Sequence, residues 1–263
     1  MLLTLAASSL SSHLDPHGEG GLTVFDLPGF AIRELRLRGL NLTASMLAGW
    51  SYADLDRLRD RADKAACPCL VLVEDTPLPL ADPSSTGRDE AKERIRRLAA
   101  AANRLGCNAL ALKCAAPDDP RAFDLLAEEM KAVMPSVERL ELNVLLAPNE
   151  GLTDCPDRLT ELIKRIGGFR IGSLPNFAHA ASTGDPVSAL RKLAPYAGAI
   201  HATVGAFSRR GKHEGYDLAE CVAAVRSVGF PNTLAIEYVG DGDPIKNIDR
   251  ARTILQAAID GDQ

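Results

Sequence analysis

Eight short apolar runs recur along the chain, and most of them are followed by a helical pattern. The runs are LLTLAASSL (2–10), LRLRGLNL (35–42), CLVLVED (69–75), ALALKCA (109–115), RLELNVLLA (139–147), RIGSLPNF (170–177), AIHATVGAF (199–207) and TLAIEYV (233–239). Several are β-branched or Leu-rich and bounded by Gly, Pro, Asp or Asn, as parallel strands buried on both faces are. Parallel neighbours need a crossover between them, most often a helix. SYADLDRLRDRADKAAC supplies one, opening on Ser51 with Asp54 three residues on, in a capping-box-like spacing. RDEAKERIRRLAAAANRLGC carries acids early, bases later and Gly106 at its end. DPRAFDLLAEEMKAVM, CPDRLTELIKRIGG, DPVSALRKLAPYAG and DPIKNIDRARTILQAAI open on a cap followed by Pro, which suits a first helical turn. YDLAECVAAVRSVGF adds another helix, and TVFDLPGFAIREL predicts a short one in the first crossover.

Eight strands alternating with about eight helices in 263 residues is the arithmetic of an α/β fold, a single-domain (β/α)8 TIM barrel over residues 1–263. A doubly wound sheet is the alternative. It would want a phosphate-binding G-x-G-x-x-G turn between the first strand and a helix, and GEGG at 18–21 lacks that frame.

Composition narrows the class. Hydrophobic residues make up 46% and charged residues 25%, as in ordinary soluble domains. The net charge of −5 argues against an extended basic surface for nucleic acid. No apolar run approaches the roughly 20 residues that span a bilayer. The N-terminal MLLTLAASSLSSHLDPHG lacks a basic leader segment and reads as a first strand. Of six cysteines only Cys67 and Cys69 sit close together, and a zinc framework wants a second such pair. The expectation is a cytoplasmic protein with free thiols, a monomer or homo-oligomer, with no nucleic-acid or membrane partner.

In a (β/α)8 barrel the chemistry sits at the C-terminal ends of the strands. There the third run offers Glu74 and Asp75, the fourth Lys113, and the fifth Asn143 with Asn149 beyond it. GSLPNFAHA closes the sixth run with Asn176 and, three residues on, His179. The seventh holds His201 and the eighth Glu237. A carboxylate inside LAIEYV is buried and needs a partner, either a basic side chain or a metal. The loop SRRGKHEGYD brings Arg209, Arg210, Lys212 and His213, readable as a solvated loop or as a clamp on an anionic group such as a phosphate.

From EGLTDCPDRLTELIKRIGG through GSLPNFAHA and AIHATV to LAIEYVGDGDP, the chain resembles the xylose isomerase-like TIM-barrel superfamily, the sugar phosphate isomerase and epimerase group. The resemblance implies one divalent metal that polarises a sugar's oxygens while two Glu residues shuttle a proton. Glu237 matches the family's strand-eight Glu, His201 its strand-seven His and His179 its strand-six His. Asn176 stands where an Asp is usual, and Ala147 where a strand-five Glu is usual. The resemblance therefore implies Glu237 and His201 as catalytic groups and Asn176 as a contact to a sugar-like substrate, while the polar set at the strand ends and the basic loop adds Lys113, Arg209 and Glu74 as expected substrate contacts. Glu237, His201, His179 and Asn176 would surround a metal, with Zn, Mn, Mg or no ion as the expectation.

The first functional expectation is a sugar (phosphate) isomerase or epimerase. The alternative is a catalytically degenerate barrel that binds a carbohydrate or a protein partner. A DNA-repair endonuclease of the same superfamily needs a three-metal cluster, and five histidines, with His13 and His17 in the first loop, are too few for it.

Overall fold

The computed structural model describes residues 1–15 and 21–261, so His17 and most of GEGG lie outside the described residues. Among the described residues eight strands form: β1 (Leu2–Ala6), β2 (Leu40–Thr43), β3 (Cys69–Leu78), β4 (Ala109–Cys114), β5 (Asn143–Ala147), β6 (Ile171–Ser173), β7 (Ala199–Val204) and β8 (Thr233–Tyr238). They pair in parallel in the order β6-β5-β4-β3-β2-β1-β8-β7. The two edges meet through the bridges Ser173 to Ala197 and Asn176 to His201, which close the sheet into a barrel. The α-helices are α1 (Leu27–Arg33), α2 (Tyr52–Lys64), α3 (Ser85–Leu105), α4 (Pro120–Glu138), α5 (Pro156–Ile166), α6 (Phe177–Ser182), α7 (Pro186–Leu193), α8 (Leu218–Ser227) and α9 (Pro244–Asp260). Among the described residues no helix is long and apolar enough to cross a membrane.

Local chemistry explains most helix ends. Ser51 accepts from the Asp54 amide while Asp54 accepts from the Ser51 amide, so the expected capping box forms at α2. Gly106 ends α3 at φ +79°, the left-handed geometry that glycine adopts without strain. Asp119, Asp185, Asp217 and Asp243 cap α4, α7, α8 and α9.

Several boundaries differ from the sequence expectation: the runs 35–42, 139–147 and 199–207 narrow to β2, β5 and β7, and three further differences have a local cause. Helix α4 does not stop at Met134 but runs through Pro135 to Glu138. Pro135 cannot donate to the preceding turn, yet Val133, Met134 and Val137 are buried against the sheet side, which holds the last turn in place. The first run shortens to β1 because Ala7–His13 coils into a 3-10 turn above the barrel. The sixth run ends at Ser173, and Asn176 starts a helix that the apolar pattern did not announce.

Strand alternation divides the core in two. Large Leu and Ile side chains such as Leu5, Leu42, Leu72, Leu110, Leu146, Ile200 and Ile236 point outward under the helices. The barrel interior is built of smaller groups: Val71, Val73, Ala109, Ala111, Leu145, Ala147, Leu174 and Ala199. Small side chains at the upper end leave a hollow there. At the seam a Cβ on Gly172 would collide with the backbone carbonyl of Tyr196, and one on Gly198 would lie 2.6 Å from Leu145 Cδ2. Gly172→Ala should therefore cost about 1–3 kcal/mol of stability, read as a lower urea midpoint at unchanged m-value. Unchanged stability would mean that the seam is looser than described.

Candidate active site

The hollow at the C-terminal ends of the strands is a cavity of about 250 Å³. Asp75 of β3, Lys113 of β4, His201 of β7 and Glu237 of β8 line it, with Asn176 just beyond β6. Ser8 and Ser11 from the turn after β1, and Thr43 and Ser45 at the end of β2, complete a polar rim. Ala147 and Leu174 form its apolar wall. These residues converge because each occupies an inward phase near the top of its strand.

Glu237 is the electrostatic centre. Its Oε1 lies 3.4 Å from His201 Nδ1, and its Oε2 accepts from the Thr203 hydroxyl at 2.9 Å. Burial pushes the carboxyl up. The charge and hydrogen bond of His201, the Thr203 hydroxyl and the Lys113 ammonium outweigh burial and hold it at about 2. On the other side of the imidazole, Asn41 Nδ2 lies 3.1 Å from His201 Nε2. Nδ1 of the ring thus faces Glu237 and Nε2 faces Asn41. Asn41 Oδ1 and Thr4 Oγ1 are buried without a partner among the described residues. Neither Asn41 nor Thr203 is among the residues the sequence reading picked out. The available signal was a polar side chain inside an otherwise apolar strand, the same signal that marks Glu237.

Other anticipated residues go elsewhere. Glu74 is only 2% exposed, and its carboxylate accepts from Arg94 Nε of α3 at 2.6 Å and from the Thr76 amide at 3.1 Å. It points outward beneath α3, and its neighbour Asp75 takes the inward position. Arg209 sits exposed on the loop after β7 and lines no part of the cavity. That loop folds back on itself through Phe207 and His213. His213 accepts from the Gly205 amide at 2.9 Å and faces the Tyr216 carbonyl at 3.0 Å, so it braces the loop. Asn143 stands at the opposite, N-terminal end of β5, donating to the Asn108 carbonyl. Asn149 donates to the Cys114 and Glu150 carbonyls.

The three-residue spacing in Asn-Phe-Ala-His is a helix cap. Asn176 Oδ1 accepts from the His179 amide at 2.7 Å at the start of α6. The His179 ring turns toward the loop after β5, with Nε2 3.0 Å from Asp154 Oδ1.

As arranged, these side chains do not fit a divalent ion. Both Glu237 oxygens, the Asn176 oxygen and His179 Nε2 are engaged as described, and His179 lines no wall of the cavity. Ala147 offers no donor, and the Lys113 ammonium shares the space. Of the four side chains that the family resemblance assigns to a metal, only Glu237 is a carboxylate, and one carboxylate neutralises a hard M²⁺ poorly. Among the described residues no three His, Cys, Asp or Glu side chains gather to hold a metal.

The family model of the xylose isomerase-like TIM barrel matches residues 28–258. The chain belongs to that family. Within the xylose isomerase-like fold it is similar to L-ribulose 3-epimerase, with a TM-score of 0.81 and 13% identity over 99% of this chain and 94% of that one. The 3-keto-D-glucoside 4-epimerase YcjR of E. coli gives 0.76 and 11% over 98% and 99%. AsbF of Bacillus anthracis, described as the probable 3-DHS dehydratase involved in petrobactin synthesis, gives 0.76 and 15% over 97% and 99%. At these identities the likeness is one of fold, and the fold carries epimerases and a dehydratase alike. No curated protein matches the chain by sequence.

Two outcomes follow from this geometry. Asn176→Ala should lower stability by about 1 kcal/mol through loss of the cap, while Asn176→Asp keeps the cap and the stability. Equal melting of Asn176→Ala and the parent would remove the capping role. Glu237 has a folded-state value of about 2, against an ordinary 4.5. Its stabilising contribution is therefore present above about 4.5 and lost as pH falls toward about 2. Urea unfolding across that window should show a shallower acid slope for Glu237→Gln than for the parent.

Proposed function

We propose that the barrel mouth transfers a proton at a carbon beside a carbonyl, isomerising or epimerising a sugar or sugar-like hydroxy-carbonyl compound. The observation that carries this reading is Glu237, an ionised carboxylate sunk in a cavity that also presents the Lys113 ammonium. With the substrate's carbonyl oxygen beside Lys113, the ammonium stabilises the negative charge that develops as the C–H bond breaks. Glu237 accepts that proton, and the C–H electron pair enters the C=C bond of an enediolate whose charged oxygen stays on Lys113. Return of the proton to the adjacent carbon, with the hydroxyl proton passing from one oxygen of the enediolate to the other, isomerises the substrate.

Return to the opposite face of the same carbon epimerises it, which calls for a second acid. Asp75 lines the same cavity, three strands round the barrel from β8. In the free protein the Lys113 charge helps keep Glu237 a weak base. Once the ammonium turns to the substrate's oxygen, that restraint weakens and Glu237 becomes more basic. His201 and Thr203 hold the carboxylate in position throughout. An unphosphorylated sugar suits the mouth better than its phosphate, because Lys113 is the one Lys or Arg among the described lining residues.

The test is proton exchange. A set of ketoses incubated in D₂O with the protein should take up deuterium at the carbon next to the carbonyl, followed by ¹H NMR. Glu237→Gln should slow this by about 10²–10⁴-fold. Asp75→Asn should retain exchange and lose the epimer. A Glu237→Gln protein exchanging as fast as the parent refutes the assignment.

Ala147, with no donor where a second base is usual in the family, favours a second reading: a barrel that binds carbohydrate or a protein partner without turnover. Saturable ketose binding with no deuterium uptake by the parent protein would select it.

A further inference from the structure

Beside the mouth, and sharing Ser11 and Ser45 with it, lies a larger cleft of about 790 Å³. Phe25, Met46 and Trp50 line it, with Leu14 and Val24. Trp50 is half-buried and stacks on Phe25 with ring centroids 4.6 Å apart and 15° between planes. The Arg57 guanidinium lies 4.5 Å from the Phe25 centroid. The arginine and the two rings brace one another, so the indole is held at the edge of the cleft by packing.

Three features point to a ligand. The mouth, at about 250 Å³, falls below the roughly 300–1,000 Å³ common for small-molecule sites. It has room for one small sugar-like unit. Ser11 and Ser45 line both cavities, so a group attached to that unit on this side reaches the cleft. Aromatic residues are only 5% of the chain, and the one tryptophan stands here.

We propose that this cleft is a subsite for a ring-shaped substituent with an apolar face, such as the aromatic aglycone of a glycoside whose sugar ring carries a free ketone. The sugar-like part sits in the mouth, and the attached ring packs against Trp50 and Met46. This rests on reading the mouth as a sugar site, and it names the larger substrate class that the site would prefer.

Because Trp50 is the sole tryptophan, tryptophan emission reports on the surroundings of this one ring at the edge of the cleft. Phenyl β-D-glucopyranoside and methyl β-D-glucopyranoside are titrated into the full chain, following tryptophan emission and, in parallel, heat by calorimetry. The phenyl glycoside should change the emission saturably and bind about tenfold more tightly than the methyl glycoside, as expected for burying one ring. In Trp50→Ala the preference, read by calorimetry, should shrink to within about twofold. Trp50→Phe, which keeps an aromatic face, should retain most of it and guards against a folding artefact. Equal binding of the two glycosides, absence of binding, or a preference that survives Trp50→Ala overturns the proposal. Glu237→Gln separates the two readings: if the catalytic reading alone is wrong, deuterium exchange is insensitive to that substitution and the phenyl preference remains.

Discussion

Two backbone hydrogen bonds close the barrel. Gly198 donates to the Ser173 carbonyl at 3.2 Å, and His201 donates to the Pro175 carbonyl at 2.9 Å. Most other neighbouring strands share longer registers, up to six residue pairs between β7 and β8, while β1 and β2 share two. With β6 only three residues long, the seam depends on close approach, which the bare glycines Gly172 and Gly198 permit. The same bonds set Asn176 beside His201, and the β7–β8 register then sets Thr203 beside Glu237. The candidate site inherits its geometry from the way the sheet closes.

Above that seam the interior changes character. Small apolar side chains fill the lower barrel, and a ring of hydroxyls, amides and charges occupies its top. A carboxylate with a side chain 25% exposed is tolerable because two hydrogen-bonding neighbours and an ammonium compensate it. In this chain Lys113 brings the positive charge into the mouth, and the side chains that family resemblance would assign to a cation hold each other or a helix end. The fold is shared with enzymes of differing chemistry, so local charge balance is the sharper guide to what this mouth does.

Much of this was legible along the chain. Strand-like runs, Asp-Pro starts and the Ser51–Asp54 box act over a few residues, and the structure reproduces each of them. Glu237 and His201 were visible as polar groups in apolar strands. Glu74 and Asp75 were both visible as strand-end acids, but period-two alternation leaves two phases, and the outward Leu72 puts Asp75 inside. The Asn-Phe-Ala-His spacing suits a cap as well as a metal pair. A partner 25 residues away, Asp154, settled where the ring of His179 turns.

By itself the sequence determined the alternation of strand and helix, and through it the barrel, because apolar periodicity and capping are local and repeated. Tertiary structure decided which polar side chains meet. Glu237 meets Thr203 and His201 through strand register, Asn41 reaches His201 from across 160 residues, and Phe25 stacks on Trp50 between separate crossovers. Such contacts depend on register and closure, which are properties of the whole ring of strands and are written in no single stretch of it.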